Sequence, residues 1–144
     1  MSKPGPGVRP HLTVSGGDAA LDFYTKAFGG VEYHPRSRFP NDPRLLHGEI
    51  IINESVVYVN DDFPEHNGGK SRTPKALGGT PITLHQCVAD VDAAVNQALA
   101  AGAKVIMPVD DQFWGDRYGI IEDPFGYHWS FSTPSKNRPV MDHT

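Results

Sequence analysis

The sequence predicts an α+β domain of two βαβββ modules, whose curved mixed sheets surround a cleft. Two observations predict it. The order strand, helix, three strands occurs twice, and each helix carries its apolar residues along one side. Leu12-Thr13-Val14 ahead of the first helix corresponds to Gln86-Cys87-Val88 ahead of the second, a repeat of 74 residues that also pairs His11 with His85. A single module would leave one sheet face uncovered, so two must pair to bury it. Such a pair encloses a cleft suited to a small molecule.

Residues 1–7 (MSKPGPG) read as a loose Pro/Gly-rich arm, and 8–133 as the single domain. Val8, Pro10, Leu12 and Val14 alternate with Arg9, His11 and Thr13, the pattern of a half-buried strand. Asp18 is placed to cap a helix over DAALDFYTKAFGG. Leu21, Tyr24, Thr25 and Phe28 form its stripe, and Gly29-Gly30 ends it. VEYHPRSRF, RLLHGEIII and SVVYVND supply three strands, the last two joined by an Asn53-Glu54 turn, which completes module one over 8–60. Residues 61–80, polar and rich in Gly and Pro, read as a mobile linker or lid. Module two covers 81–133. PITLHQCVAD is its first strand and Asp90 caps the helix VDAAVNQALAAG, with Val91, Ala94, Val95, Ala98 and Leu99 as its apolar side. AKVIMPV, DRYGIIED and HWSFSTP follow as strands. The tail 134–144 is polar and peripheral.

Composition removes several classes of function. The chain has 144 residues, with Lys plus Arg 13 against Asp plus Glu 17, a net charge of −4. Without a basic cluster, nucleic acid is not the expected partner. No apolar run approaches the roughly 20 residues of a membrane helix. The one cysteine, Cys87, excludes an internal disulfide and any multi-cysteine zinc site. A cytoplasmic domain is the default expectation.

LDFYTKAFGG, VADVDAAVNQALAAGAKVIMP, DQFWGDRYGIIEDPFGYHWSF and the duplicated layout resemble the vicinal oxygen chelate superfamily. Its members include glyoxalase I, fosfomycin-resistance enzymes, extradiol dioxygenases and bleomycin-resistance proteins. FWGDRYG followed by DPFGYHW resembles most closely the PhnB-like glyoxalase/bleomycin-resistance branch. The resemblance spans about 8–133 and implies paired βαβββ modules and a homodimer. It also implies metal ligands at four positions, one each on the first, fourth, fifth and eighth strands. These align with Arg9, Tyr58, Thr83 and Ser130, none of which is a histidine or carboxylate. The usual metal site is therefore absent by position. A methyltransferase, the activity often attached to this branch, would need a glycine-rich loop after a parallel strand. Gly16-Gly17 and Gly78-Gly79 do not occupy such a context.

His11 and His85 each lie two residues beyond an aligned position, so each keeps the same strand face. His47 and Glu49 share a face of the third strand. These four could form a shifted site for a divalent metal such as Zn, Ni, Fe or Mn, or could simply line the cleft. Tyr58 and Glu49 are the candidate acid–base residues. Trp114 is a candidate stacking wall and Arg117 a candidate anion holder, unless Arg117 forms an internal pair with Asp116. Asp123-Pro124-Phe125-Gly126 reads as a structural turn. Ser130 faces the cleft, which assigns Trp129 to the core. Cys87 is read as a small buried hydrophobe, and His34, His66 and His143 as solvated.

Two functions follow. One is a protein that binds a small oxygen-rich or aromatic molecule without metal, using His11, His47, Tyr58, His85, Trp114, Arg117 and Ser130. The other is a glyoxalase-type lyase or dioxygenase with the shifted His/Glu site. His85→Ala and Trp114→Ala are expected to weaken ligand binding without unfolding the chain.

Overall fold

The computed structural model describes residues 7–133. The rest of the predicted arm, the tail and His143 lie outside the described residues. The strands are β1 (His11–Val14), β2 (Val31–Ser37), β3 (His47–Ile52), β4 (Ser55–Asp61), β5 (Thr83–Cys87), β6 (Lys104–Asp111), β7 (Arg117–Glu122) and β8 (His128–Thr133). The helices are α1 (Gly17–Phe28), α2 (Pro74–Leu77) and α3 (Val91–Ala101). Two four-stranded mixed sheets result, ordered β1-β4-β3-β2 and β5-β8-β7-β6. β1 pairs β4 in parallel and β5 pairs β8 in parallel, while the other pairs are antiparallel. This is the predicted duplicated α+β architecture. Among the described residues, no helix is long and apolar enough to cross a membrane.

Each sheet has a helix side and an open side. Leu12, Val14, Ile50, Val57 and Val59 of the first sheet are buried against α1, as are Ile121, Trp129 and Phe131 of the second on its helix side. The two helix sides share one core, because α1 and α3 pack on each other. Phe28 lies 4.6 Å from Trp129 between ring centroids, and Tyr24 lies 5.5 Å from it. Trp129 is thus in the core, as expected. The α1 stripe differs by one position. Thr25 is exposed and returns its hydroxyl to the Leu21 carbonyl, while Ala20, Phe23 and Ala27 are buried instead.

Helix capping is local in one module and remote in the other. Asp90 caps α3 as predicted, accepting from the Ala93 N–H at 3.1 Å. α1 begins at Gly17, so Asp18 is already inside it and pairs instead with Arg36 and Arg38. The unpaired N–H groups at the helix start go to the buried carboxylate of Asp61. It accepts from Gly16 and Gly17, and also from Leu45 on the strand approach. A cap 44 residues downstream cannot be seen in local sequence. The Asn53-Glu54 hairpin holds both residues at positive φ, 48° and 70°, the mirror-image turn whose twist matches paired strands.

The 61–80 segment is not structureless. It holds a 3-10 turn at Pro64–His66 and the short helix α2, capped by Thr73. Asp62 accepts from the Ser71 hydroxyl and from the Arg72 N–H. Arg44 ties the segment to module one through Glu65 and lies 4.2 Å above the Phe63 ring. That pairing holds Glu65 down to a pKa of about 2.

The Asp123–Tyr127 turn forms one seam between the modules. Tyr127 donates its hydroxyl to the Thr13 carbonyl at 2.8 Å and accepts from the Thr13 N–H at 3.1 Å. Asp123 is buried in the same seam and accepts from Tyr24 Oη at 2.6 Å, Trp129 Nε1 at 2.9 Å and the N–H groups of Phe125 and Tyr127. Burial raises the Asp123 pKa against those four donors, and burial beside Asp123 raises that of Tyr24 well above a phenol's ordinary value. The predicted structural turn is therefore a buried polar joint between modules.

Candidate functional site

Strand alternation sends the polar residues of the first module onto its open face. Register places His11 of β1 opposite Tyr58 of β4, Tyr58 opposite Glu49 of β3, and Glu49 opposite His34 of β2. Arg9 enters from the chain just before β1. Its Nη1 donates to Tyr58 Oη at 3.0 Å and lies 3.8 Å from Glu49 Oε1. His47 Nε2 is 3.1 Å from the other Glu49 oxygen. The His11 and His47 rings stand edge-on to Tyr58, at 5.6 and 4.6 Å. Five predicted or aligned residues thus form one connected cluster.

The cluster has a definite donor and acceptor pattern. Tyr58 Oη accepts from Arg9, so its own proton remains available for a ligand oxygen. An ionised Glu49 can only accept, so in that contact His47 donates through Nε2. His11 titrates below its ordinary value of 6.5. Burial is the first cause and repulsion by His47 the second, with a weaker repulsion from Arg72, while the Asn60 side chain works the other way.

The second module's open face is built differently. His85 Nδ1 is 2.7 Å from Ser130 Oγ and Nε2 is 2.8 Å from Ser132 Oγ, so two hydroxyls bracket the ring. A neutral imidazole has one N–H and one lone pair, so one serine accepts while the other donates. Tyr118 stacks on His85 at 6.0 Å with a 16° interplanar angle, and Trp114 meets Tyr118 edge-on. Trp114 is 45% exposed at a bend where Gly115 holds φ at 100°.

Several expected residues fall elsewhere. Arg117 shares the helix side of β7 with Gly119 and Ile121, where its guanidinium pairs with Asp92 and Asp111. It joins neither open face. Cys87 is exposed, because it alternates with buried Gln86 and shares the His85 side of β5. His34 and His66 are exposed, as expected. Sequence reasoning missed Ser132, Tyr118, Asn60 and Arg72. Two-residue steps from Ser130 and Tyr58 could have found Ser132 and Asn60. Arg72 acts on His11 only as a weak charge, from a segment whose Arg72 N–H donates to Asp62.

The four candidate metal ligands are not brought together. Among the described residues, no contact joins His85 to His11, His47 or Glu49, and no three His, Cys, Asp or Glu side chains are grouped as a metal requires. The chemistry of the donors agrees. His85 has both nitrogens engaged, and Glu49, the one carboxylate of the set, lies between a histidine and the cationic Arg9. A divalent cation would have to displace that guanidinium, so the present residues do not fit one.

Comparison with known proteins adds a family and a fold. Residues 8–131 match the model of the Glyoxalase/Bleomycin resistance protein/Dioxygenase superfamily. The "Uncharacterized protein Mb0911c" of Mycobacterium bovis is 51% identical over 130 residues, covering 90% of this chain and 84% of that protein. The solved Arabidopsis thaliana gene product At5g48480 is 27% identical, with a TM-score of 0.69 over 89% of this chain and 98% of its own. A Bacillus cereus PhnB protein, described as a putative 3-demethylubiquinone-9 3-methyltransferase, shares the fold at 18% identity. Its TM-score is 0.64, over 88% of this chain and 98% of that one.

Proposed function

The chain belongs to the glyoxalase/bleomycin resistance protein/dioxygenase superfamily, and on that premise we propose that it binds a small, oxygen-rich or aromatic molecule without a metal. The observation that carries this reading is the connected Arg9–Tyr58–His47–Glu49 cluster beside His11. Such a cluster contributes little to a core, since it lies on the side of the sheet away from α1. It offers a ligand the Tyr58 proton and an imidazole acceptor in fixed positions, within the field of the Arg9 charge. The His85–Tyr118–Trp114 group gives the other open face an aromatic surface of its own.

The protein acts as a homodimer in this reading. Val31, Ile82, Ile106, Phe113 and Trp114 are large apolar residues left exposed in one chain, and a second copy would cover such surface. Light scattering after size exclusion tests it, and a monomer at micromolar concentration would refute it. A reducing compartment, the cytoplasm, suits a single exposed thiol.

The decisive test is Tyr58→Phe. A panel of phenols, quinones and aromatic acids is screened by thermal shift and the best binder is titrated into both proteins. Loss of the hydroxyl should weaken binding by about 1 kcal/mol or more, roughly fivefold, while the melting temperature without ligand stays unchanged. Equal affinity in the variant would remove the cluster from the site. Elemental analysis with added Zn²⁺, Ni²⁺, Fe²⁺ and Mn²⁺ tests the rival reading. A stoichiometric metal that raises stability would replace this proposal with the metal-dependent lyase or dioxygenase.

A further inference from the structure

A half-open cavity of about 740 Å³ lies away from the Tyr58 cluster, beneath the segment that connects the modules. That volume falls in the range of small-molecule pockets. Module one contributes Ser15, module two contributes Lys104, Glu122 and the Pro124–Gly126 turn, and the connecting segment closes over them with Asp62 and α2. Pro74, Pro124 and Phe125 provide an apolar surface, and charged groups line the rest.

Both carboxylates that line this cavity are already engaged. Asp62 already accepts from the Ser71 hydroxyl and the Arg72 N–H. Glu122 is held by His128 Nε2 at 3.0 Å and by Lys104 Nζ at 3.3 Å, and these partners keep its pKa below the ordinary carboxylate value. The cations are not used up in the same way. Lys75 has no acceptor among the described residues, and Lys104, 74% exposed, spends one of three donors on Glu122. Two ammonium groups and the Ser15 hydroxyl thus line the cavity beside its apolar wall.

We infer that this cavity is a second ligand site, selective for a small carboxylate whose apolar body lies on Phe125 and the two prolines and whose anionic end lies between Lys75 and Lys104. The site is independent of the Tyr58 cluster, and either can exist without the other. An occupant would touch both modules and the connecting segment at once, which would fix α2 against the Pro124–Gly126 turn.

Benzoate titrated into the isotope-labelled full chain, followed by amide NMR, tests this inference. Saturable shifts are expected at Ser71–Gly79 and at Phe125 and Gly126. Lys75→Gln and Lys104→Gln, both at exposed side chains, should each weaken the binding about tenfold, the effect of losing a hydrogen bond between charged groups. The neutral isostere benzamide should bind as weakly as benzoate binds those variants. Equal affinity for benzamide, or unaltered affinity in both lysine variants, would overturn the inference. Shifts confined to His11, Glu49 and Tyr58 would overturn it too, while supporting the first site. The absence of any shift would remove the carboxylate site and leave the Tyr58→Phe test standing on its own.

Discussion

One row across the first sheet reads His11, Tyr58, Glu49, His34, and the matching row across the second reads His85, Ser130, Ile120, Met107. The backbone positions correspond, yet only the first row is titratable along its length. The residue opposite the shared histidine sets the difference. A tyrosine ring meets His11 edge-on and leaves its nitrogens outside any hydroxyl bracket. At His85, small side chains let Ser130 and Ser132 approach both nitrogens. Duplication of a fold thus yields one face that carries a connected polar cluster and one whose histidine is tied to its own sheet.

The modules also hold each other unequally. Each turn at the far end of a module reaches the first strand of the other. Asn53 sends one exposed hydrogen bond to the Cys87 carbonyl, whereas the Asp123–Tyr127 turn makes two bonds to Thr13 and gathers four donors on a buried carboxylate. Asp123→Ala leaves Tyr24 Oη and Trp129 Nε1 buried without their acceptor and should cost about 4 kcal/mol. Asn53→Ala should cost about 0.5 kcal/mol or less. Denaturant unfolding of the two variants measures the ratio, and comparable losses would mean that the seams are equivalent after all.

A smaller effect sharpens the same comparison at two glycines in matching register. Gly48 lies opposite Val59 and Gly119 opposite Phe131. A Cβ at Gly48 would meet the ends of Leu21 and Leu45, side chains that can rotate away. One at Gly119 would lie 2.8 Å from Val109 Cγ2, and 3.2 and 3.3 Å from the Val109 backbone, which cannot yield so cheaply. Gly119→Ala should therefore destabilise by about 2 kcal/mol and Gly48→Ala by about half of that. The reverse order would show that the second sheet is the more compliant one.

The parts legible in the sequence were those with a local cause. Periodicity located every strand of both sheets and the helices α1 and α3, and the 74-residue repeat gave the pairing of modules. Two-residue steps put His11, Glu49 and His47 on one face. What stayed hidden depends on distant chain segments. Asp61 caps a helix 44 residues away, and Asp123 binds Tyr24 across 99. Arg117 shows the complementary error. Its position in a family motif suggested a ligand, but β7 alternation turns it toward α3, where Asp92 and Asp111 occupy its guanidinium.

The finest test of the asymmetry uses pH. His11 titrates below 6.5 in the folded chain, chiefly through burial and then through His47, so its neutral form is the one the fold favours. The unfolded chain, with an ordinary imidazole, takes up a proton at higher pH. Between the two pKa values the unfolded state therefore binds more protons, and stability must fall as pH drops from about 7 through the folded pKa. Below that value the contribution levels off, because both states are protonated. His11 is substantially solvent-exposed, so screening keeps the effect small, and a difference experiment is needed to see it. Tm is measured from pH 7 to pH 5 for the native chain and for His11→Asn. The native chain should lose more stability on acidification than the variant, and the gap should close as pH returns to 7. A gap of opposite sign would mean that the folded chain prefers the charged His11. The Arg9–Glu49 pair would then be attracting a cation where the cluster is read as offering a neutral imidazole.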